Sequence, residues 1–158
     1  FSQLKAKDGK FSILGNHDYG DYMSWESREA KEENFQAVKD IHKKIGFDLL
    51  LDEHRYLEKG SEKIALLGVE NWGRGFNQKG DLKKASKHVR KEDFKILMTH
   101  DPSHWEYMVK EDDFNYQLTL SGHTHGLQLG IEIPGLTRFP ACVTNSPLEL
   151  VPNCPLRV

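Results

Sequence analysis

Short apolar runs and one long amphipathic segment alternate along the chain, and this pattern predicts a layered α/β fold. Apolar residues between positions 27 and 45 recur at three- to five-residue steps, which places them on one side of a helix, and Gly46 suits the end of that helix. The remaining segments predict strands at 11–14, 47–51, 95–99, 117–121 and 128–133, a hairpin at 55–69 that turns near Gly60 and Ser61, and helices at 81–89 and 104–109.

The regular pattern decays after position 133. Prolines recur there at Pro134, Pro140, Pro147, Pro152 and Pro155. Proline lacks a backbone N–H and restricts the residue before it, so it interrupts both helices and central strands. We therefore predict one domain over residues 1–133 and an irregular proline-rich tail over residues 134–158.

Composition narrows the class of protein without naming a function. The 158 residues are 37% hydrophobic and 29% charged, which is typical of a globular domain. A formal net charge of −2 gives no electrostatic reason to expect nucleic acid or an anionic membrane as a partner, and no apolar run approaches the ~20 residues of a membrane span. The spacing of Cys142 and Cys154 fits no zinc motif, and the oligomeric state stays open.

Polar motifs follow three of the predicted strands. They are Gly15-Asn16-His17-Asp18 after the run 11–14, His100 after the run 96–99, and Gly122-His123-Thr124-His125 after the run 118–120. In open α/β sheets, binding sites form just outside the carboxyl ends of the strands, where loops converge. We therefore expect the motif side chains to cluster at one end of the sheet.

The third motif carries the clearest metal-binding pattern. In an extended backbone His123 and His125 point to the same side, so their imidazoles can reach one ion or two adjacent ions. Two imidazoles between glycines bury little apolar surface, which argues against a role in the core. Imidazole, amide and carboxylate donors without a thiolate suit divalent Mn, Fe or Zn.

In combination the three motifs resemble the last three signature blocks of the calcineurin-like metallophosphoesterases. The resemblance spans residues 15–126 and implies a sandwich of two mixed β-sheets flanked by helices. It also implies a metal-dependent hydrolase, a phosphatase or phosphodiesterase, that acts on a phosphoester substrate at a dinuclear metal centre. Residues 1–14 spell neither of the family's two earlier blocks, an Asp-x-His and a Gly-Asp-x-x-Asp type motif. We therefore expect the chain to be the carboxyl-terminal part of a longer enzyme and to be inactive by itself.

The same resemblance assigns a role to each motif residue. It implies that Asn16, His100 and His123 bind one ion, and that His125 binds the other. His17 would face the phosphate, stabilise its charge and protonate the leaving oxygen, and Asp18 would orient His17. The missing blocks would supply the bridging carboxylate and most of the second ion's ligands.

Other interpretations of these residues stay open. Asn16 alone is more typical of a turn, Asp18 is an ordinary residue at the start of a helix, and a lone His100 would more often be structural. Tyr19, Tyr22, Trp25 and Trp72 could line a substrate groove, although packing is the more common role of such aromatics. The alternative functions are a non-catalytic fragment or metal-binding domain, and a metal-free interaction domain whose histidines are incidental.

Overall fold

The computed structural model of the chain describes residues 1–75, 77–124, 131–133 and 136–138. The chain divides into two units, Phe1–His123 and Thr124–Val158. Its helices and strands are β1 Phe11–Ser12, a 3₁₀ turn at Asn16–Tyr19, α1 Arg28–Lys44, β2 Asp48–Leu49, β3 Glu53–Lys59, β4 Glu62–Gly68, α2 Leu82–Ala85, β5 Phe94–Met98, a π-helical turn at Trp105–Val109, β6 Leu118–Leu120, β7 Ile131–Ile133 and β8 Leu136–Arg138.

The main sheet has the strand order β3-β4-β5-β6. β3 and β4 form an antiparallel hairpin, whereas β4, β5 and β6 run parallel. β1 and β2 form a separate parallel pair. The fold class predicted from the sequence, α/β with mixed sheets flanked by helices, is confirmed.

Both sides of β4 are packed. Ala65 and Leu67 point into a core that also contains Leu97 of β5 and the two buried α2 residues, Leu82 and Ala85. On the other side, the backbone of Gly68 lies so close to the β1–β2 layer that a Cβ there would come within 2.5 Å of Leu50 Cβ. β4 is therefore held between α2 and the segments that follow β1 and β2.

The predicted long helix is confirmed, whereas the predicted helix at 81–89 is shorter than expected. α1 begins after Ser27, whose side chain accepts a hydrogen bond of 3.1 Å from the N–H of Ala30. α2 ends at Ala85, and the hydroxyl of Ser86 donates a hydrogen bond of 2.7 Å to the carbonyl oxygen of Leu82. His88 then adopts a left-handed conformation with φ of 71°, which a helix cannot contain.

β7 and β8 form a hairpin in the second unit, with Ile131 paired to Arg138 and Ile133 to Leu136. β7 lies inside the strand predicted at 128–133, whose first three residues fall outside the described part. β8 lies inside segment 134–158, so this part of the predicted irregular tail contains a strand, and the other residues of the segment are not described. The predicted domain extents stay a prediction. Every helix among the described residues is too short or too polar to cross a membrane.

Candidate metal centre

The parallel pairing of β5 and β6 brings the second and third motifs to one edge of the sheet. His100 follows β5 after one residue, and His123 lies three residues beyond β6. Backbone hydrogen bonds continue past the strands, from Thr99 N to Leu120 O at 3.0 Å and from Gly122 N to His100 O at 2.9 Å. The two loops therefore leave the sheet as a joined pair.

The first motif reaches the same edge, and three side chains meet there. Asn16 Oδ1 lies 2.9 Å from His100 Nε2 and 3.2 Å from His123 Nδ1, and the two imidazole nitrogens lie 3.1 Å apart. Asn16 is buried and both histidines are half-buried. Three donor atoms from three separate motifs therefore form one small triangle.

Hydrogen bonding alone cannot satisfy this triangle. An amide oxygen only accepts, and each ring nitrogen of a neutral imidazole either donates or accepts, so at least one of the three contacts always joins two acceptors or two donors. A divalent cation can take a lone pair from all three atoms at the same time. Ligands at right angles and about 2.1 Å from a divalent ion lie about 3 Å from one another, as these three atoms do. The residues present therefore fit a divalent ion.

The surroundings favour a neutral His100. Burial lowers the pKa of His100, and the neighbouring His123 lowers it further, whereas Asp101 and Asp18 oppose these effects. A neutral imidazole has the lone pair that a metal ligand needs. Among the described residues no three His, Cys, Asp or Glu side chains are placed to hold an ion, so the amide of Asn16 is needed to complete the set.

Gly15 makes room for His100. A Cβ on Gly15 would lie 2.8 Å from His100 Cε1 and 3.0 Å from Nε2, closer than non-bonded carbon and nitrogen atoms approach. The φ of Gly15 is −102°, so the requirement is for space and not for an unusual backbone conformation. The imidazole thus packs directly on the backbone of the first motif.

Gly15→Ala should therefore displace His100 and weaken binding of a divalent ion to the 158-residue chain by about 10-fold or more, because a ligand that is held out of position loses affinity. Isothermal titration with Mn²⁺ would measure it. Gly122→Ala is the matched control, since a Cβ at Gly122 would meet nothing within 4 Å among the described residues. An equal loss in both variants, or none in Gly15→Ala, would contradict the packing argument.

The remaining predicted site residues have different surroundings. His17 is exposed, and its ring packs on Tyr22 at 4.6 Å between centroids. Asp18 Oδ2 accepts a hydrogen bond of 2.7 Å from Gly15 N, which closes the 3₁₀ turn and agrees with the alternative of a residue at the start of a helix. His125 lies outside the described residues. The roles of all six motif residues stay predictions.

His104, for which the sequence predicted no role, contacts Thr99, the residue before His100 of the second motif. It is 1% exposed, its Nδ1 lies 2.9 Å from Thr99 Oγ1, and its ring stacks on Trp72 at 5.0 Å. Burial lowers the pKa of His104 to about 4, so the ring is neutral at pH 7. Thr99 directly precedes His100, and these contacts favour packing over groove lining for Trp72. No periodicity in the sequence indicated this pairing, because it depends on the path of the loop around Trp72.

Comparison with known proteins agrees with the geometry. The family model described as calcineurin-like phosphoesterase matches residues 1–127. Two uncharacterized metallophosphoesterases of Bacillus subtilis (strain 168) are similar to the chain: YkoQ is 27% identical over 127 residues, and YkuE is 28% identical over 135 residues. These alignments cover 80% and 84% of the chain.

The same alignments cover 41% of YkoQ and 41% of YkuE, so the chain spans about two fifths of the length of these relatives. No solved structure matches the chain. The family model covers most of the chain and contains all three motifs that form the site. The chain therefore belongs to the calcineurin-like phosphoesterase family.

Proposed function

We propose that the protein hydrolyses phosphoesters with a divalent ion held by Asn16, His100 and His123. The observation that carries this proposal is the triangle of donor atoms, whose residues are 23, 84 and 107 positions apart in the sequence. Residues so far apart do not meet by local folding, and a packing role would not require three atoms that compete for the same protons. The family assignment suggests phosphoester hydrolysis as the reaction for an ion held in this triangle.

Each residue of the site has a distinct part in the proposed reaction. A divalent ion, when bound, supplies positive charge to the phosphoryl oxygens and makes a hydroxide nucleophile accessible at neutral pH. Asn16, His100 and His123 fix the position at which this charge acts. His17 lies next to Asn16 on the exposed side of the turn, where its imidazole can donate a hydrogen bond to the phosphate and a proton to the leaving oxygen.

The finer features of the reaction are also part of the proposal. His125, two residues beyond His123, would bind a second ion together with ligands from the two earlier family blocks, which would give the dinuclear centre that the family resemblance implies. Asp18 closes the turn that presents His17 and would orient that imidazole through the turn. Both a phosphomonoester and a phosphodiester are compatible with these residues. In this proposal the substrate would bind on the exposed side of the turn, next to His17.

The experiment compares two forms of the protein. One is the 158-residue chain, and the other, called the extended protein, also carries the two earlier family blocks that are expected ahead of residue 15. We expect the extended protein to hydrolyse aryl phosphomonoesters or aryl phosphodiesters in the presence of Mn²⁺ or Zn²⁺ and to lose this activity in a chelator. The ratio of its rate on the phosphomonoester to its rate on the phosphodiester would assign the protein as a phosphatase or as a phosphodiesterase.

A different result would favour the alternative function. Stoichiometric binding of Mn²⁺ without turnover of either ester would indicate a non-catalytic metal-binding domain. Turnover that survives complete removal of metal would contradict the proposed reaction, because the triangle would then have no part in it.

A further inference from the structure

One tyrosine contacts two neighbouring residues of the candidate centre at once. Tyr22 Oη accepts a hydrogen bond of 2.8 Å from Asn16 Nδ2, and the Tyr22 ring packs on the His17 imidazole with centroids 4.6 Å apart and planes 30° apart. Asn16 is 4% exposed, whereas Tyr22 is 58% exposed. A largely exposed side chain therefore contacts both the buried amide and the exposed imidazole.

The hydrogen bond selects one of the two orientations of the Asn16 amide. A side-chain amide has an oxygen that accepts and a nitrogen that only donates, and a half-turn of the group exchanges them. With Nδ2 on Tyr22, Oδ1 faces His100 Nε2 and His123 Nδ1. After a half-turn, an NH₂ group without a free lone pair would face the position of the ion, and the triangle would lose a ligand.

Ring packing limits the motion of His17 in a similar way. An exposed side chain samples several rotamers unless another group packs on it. The Tyr22 ring covers one side of the imidazole and so restricts the directions in which His17 can point. A proton donor that is held in its productive rotamer contributes more to turnover than one that must first rotate into it.

The loop that carries Tyr22 is itself anchored. Trp25 Nε1 donates a hydrogen bond of 2.7 Å to Gly20 O, and the indole ring covers Gly20, where φ is +66°. Asp21 pairs with Lys31 of α1 at 2.5 Å. With an anchor on each side, Tyr22 has a defined position relative to the first motif.

We propose that Tyr22 is a positioning residue that orients the Asn16 amide toward the ion and the His17 imidazole toward the substrate. This inference rests on the function proposed above and extends it. The hydroxyl acts on metal affinity through Asn16, and the ring acts on turnover through His17. These two effects are separable by substitution.

The test uses Tyr22→Phe, Tyr22→Leu and, as matched control, Tyr107→Phe, which removes the hydroxyl of a tyrosine that is 42% exposed and packs on Arg74. In the 158-residue chain, Tyr22→Phe should shift the Asn16 side-chain amide signals in ¹⁵N NMR without any metal. It should also weaken Mn²⁺ binding by about 10-fold, a typical loss for a group that orients a ligand. Tyr107→Phe should change neither.

Turnover separates the two parts of the Tyr22 side chain. In the extended protein at saturating Mn²⁺, Tyr22→Phe should keep most of the wild-type kcat because phenylalanine retains the ring that packs on His17. Tyr22→Leu should stay about 10-fold lower because His17 is no longer held. A simple structural role would lower the thermal unfolding midpoint of both variants and would not divide metal affinity from kcat in this way.

Failure of the inference differs from failure of the proposed function. An active, Mn²⁺-dependent wild type with unchanged Asn16 signals, Kd and kcat in both Tyr22 variants would overturn the role of Tyr22 and leave the function intact. An effect on KM alone would assign Tyr22 to substrate contact and would also overturn positioning. Wild-type protein without Mn²⁺ binding or turnover would overturn the proposed function and, with it, this role.

Discussion

His123→Ala should abolish metal binding and turnover together, whereas His17→Ala should lower turnover and leave metal occupancy close to wild type. His123 Nδ1 is one corner of the donor triangle, 3.1 Å from His100 Nε2 and 3.2 Å from Asn16 Oδ1. Its removal leaves two donors for the ion. We expect at least an ~100-fold loss of Mn²⁺ affinity in the chain, and an ~1,000-fold or greater loss of kcat in the extended protein.

The exposed ring of His17 packs on Tyr22, and in the proposal His17 acts on the phosphate. Its removal should cost about 10²- to 10⁴-fold in kcat, the usual contribution of a general acid. Elemental analysis of the purified variants would give the metal content beside the rates. His88→Asn is a suitable control because His88 is exposed and asparagine tolerates its φ of 71°. Equal metal loss in the His17 and His123 variants would show that His17 is a ligand.

The convergence of the second and third motifs could be expected from the sequence because it depends on strand direction. Apolar runs that alternate with helices predict parallel strands, and the carboxyl ends of parallel strands share one edge of the sheet. His100 after β5 and His123 after β6 follow this rule. The 17 residues of α1 were likewise visible as a periodic apolar stripe that ends before Gly46.

Contacts that depend on the path of a loop could not be predicted in this way. Tyr22 reaches Asn16 because the chain turns back at Gly20 under the Trp25 ring, and nothing in the spacing of these residues indicates that turn. His104 meets Trp72 because two loops pack against each other after separate strands. The close approach of His100 to Gly15 is a further example, since a glycine in a motif has several possible explanations before the packing is known.

The shortened α2 shows that buried residues at helical spacing do not require a continuous helix. Leu82, Ala85 and Val89 are all buried, as a helix over 81–89 would require. Regular helical hydrogen bonding nevertheless ends at Ala85, the left-handed conformation of His88 prevents the helix from resuming, and Val89 reaches the core from an irregular segment. The sequence therefore predicted a helix at the correct place in the chain but the wrong helix length.

Asp52 holds three backbone segments together, and we expect its replacement to have a large effect on stability. It is 4% exposed, has a φ of 56°, and its Oδ1 accepts hydrogen bonds of 3.0 Å from both Glu70 N and Asp81 N. Lys84 Nζ lies 3.5 Å from Oδ2. One carboxylate therefore joins the turn between β2 and β3, the segment after β4 and the residue before α2.

Asp52→Ala should lower the free energy of unfolding by about 3 kcal/mol, because hydrogen bonds to charged groups contribute roughly 1.5–3 kcal/mol each and two are lost. Asp52→Asn is the matched control, since it keeps an oxygen acceptor and tolerates the left-handed backbone. It should cost about 1 kcal/mol. Urea unfolding of the 158-residue chain, followed by circular dichroism, would measure both values.

The effect of Asp52→Ala should extend to the metal centre through Tyr19. The Tyr19 hydroxyl donates to Glu70 Oε1 at 3.1 Å and accepts from Asn71 N at 3.2 Å, so the segment that Asp52 holds also holds the last residue of the 3₁₀ turn. That turn begins with Asn16. At a urea concentration where the chain is still folded, Asp52→Ala should therefore bind Mn²⁺ more weakly than Asp52→Asn. An equal loss of stability in Asp52→Ala and Asp52→Asn, relative to wild type, would contradict this account. The Lys84 ion pair, and not the two backbone hydrogen bonds, would then be the contribution of Asp52 to stability.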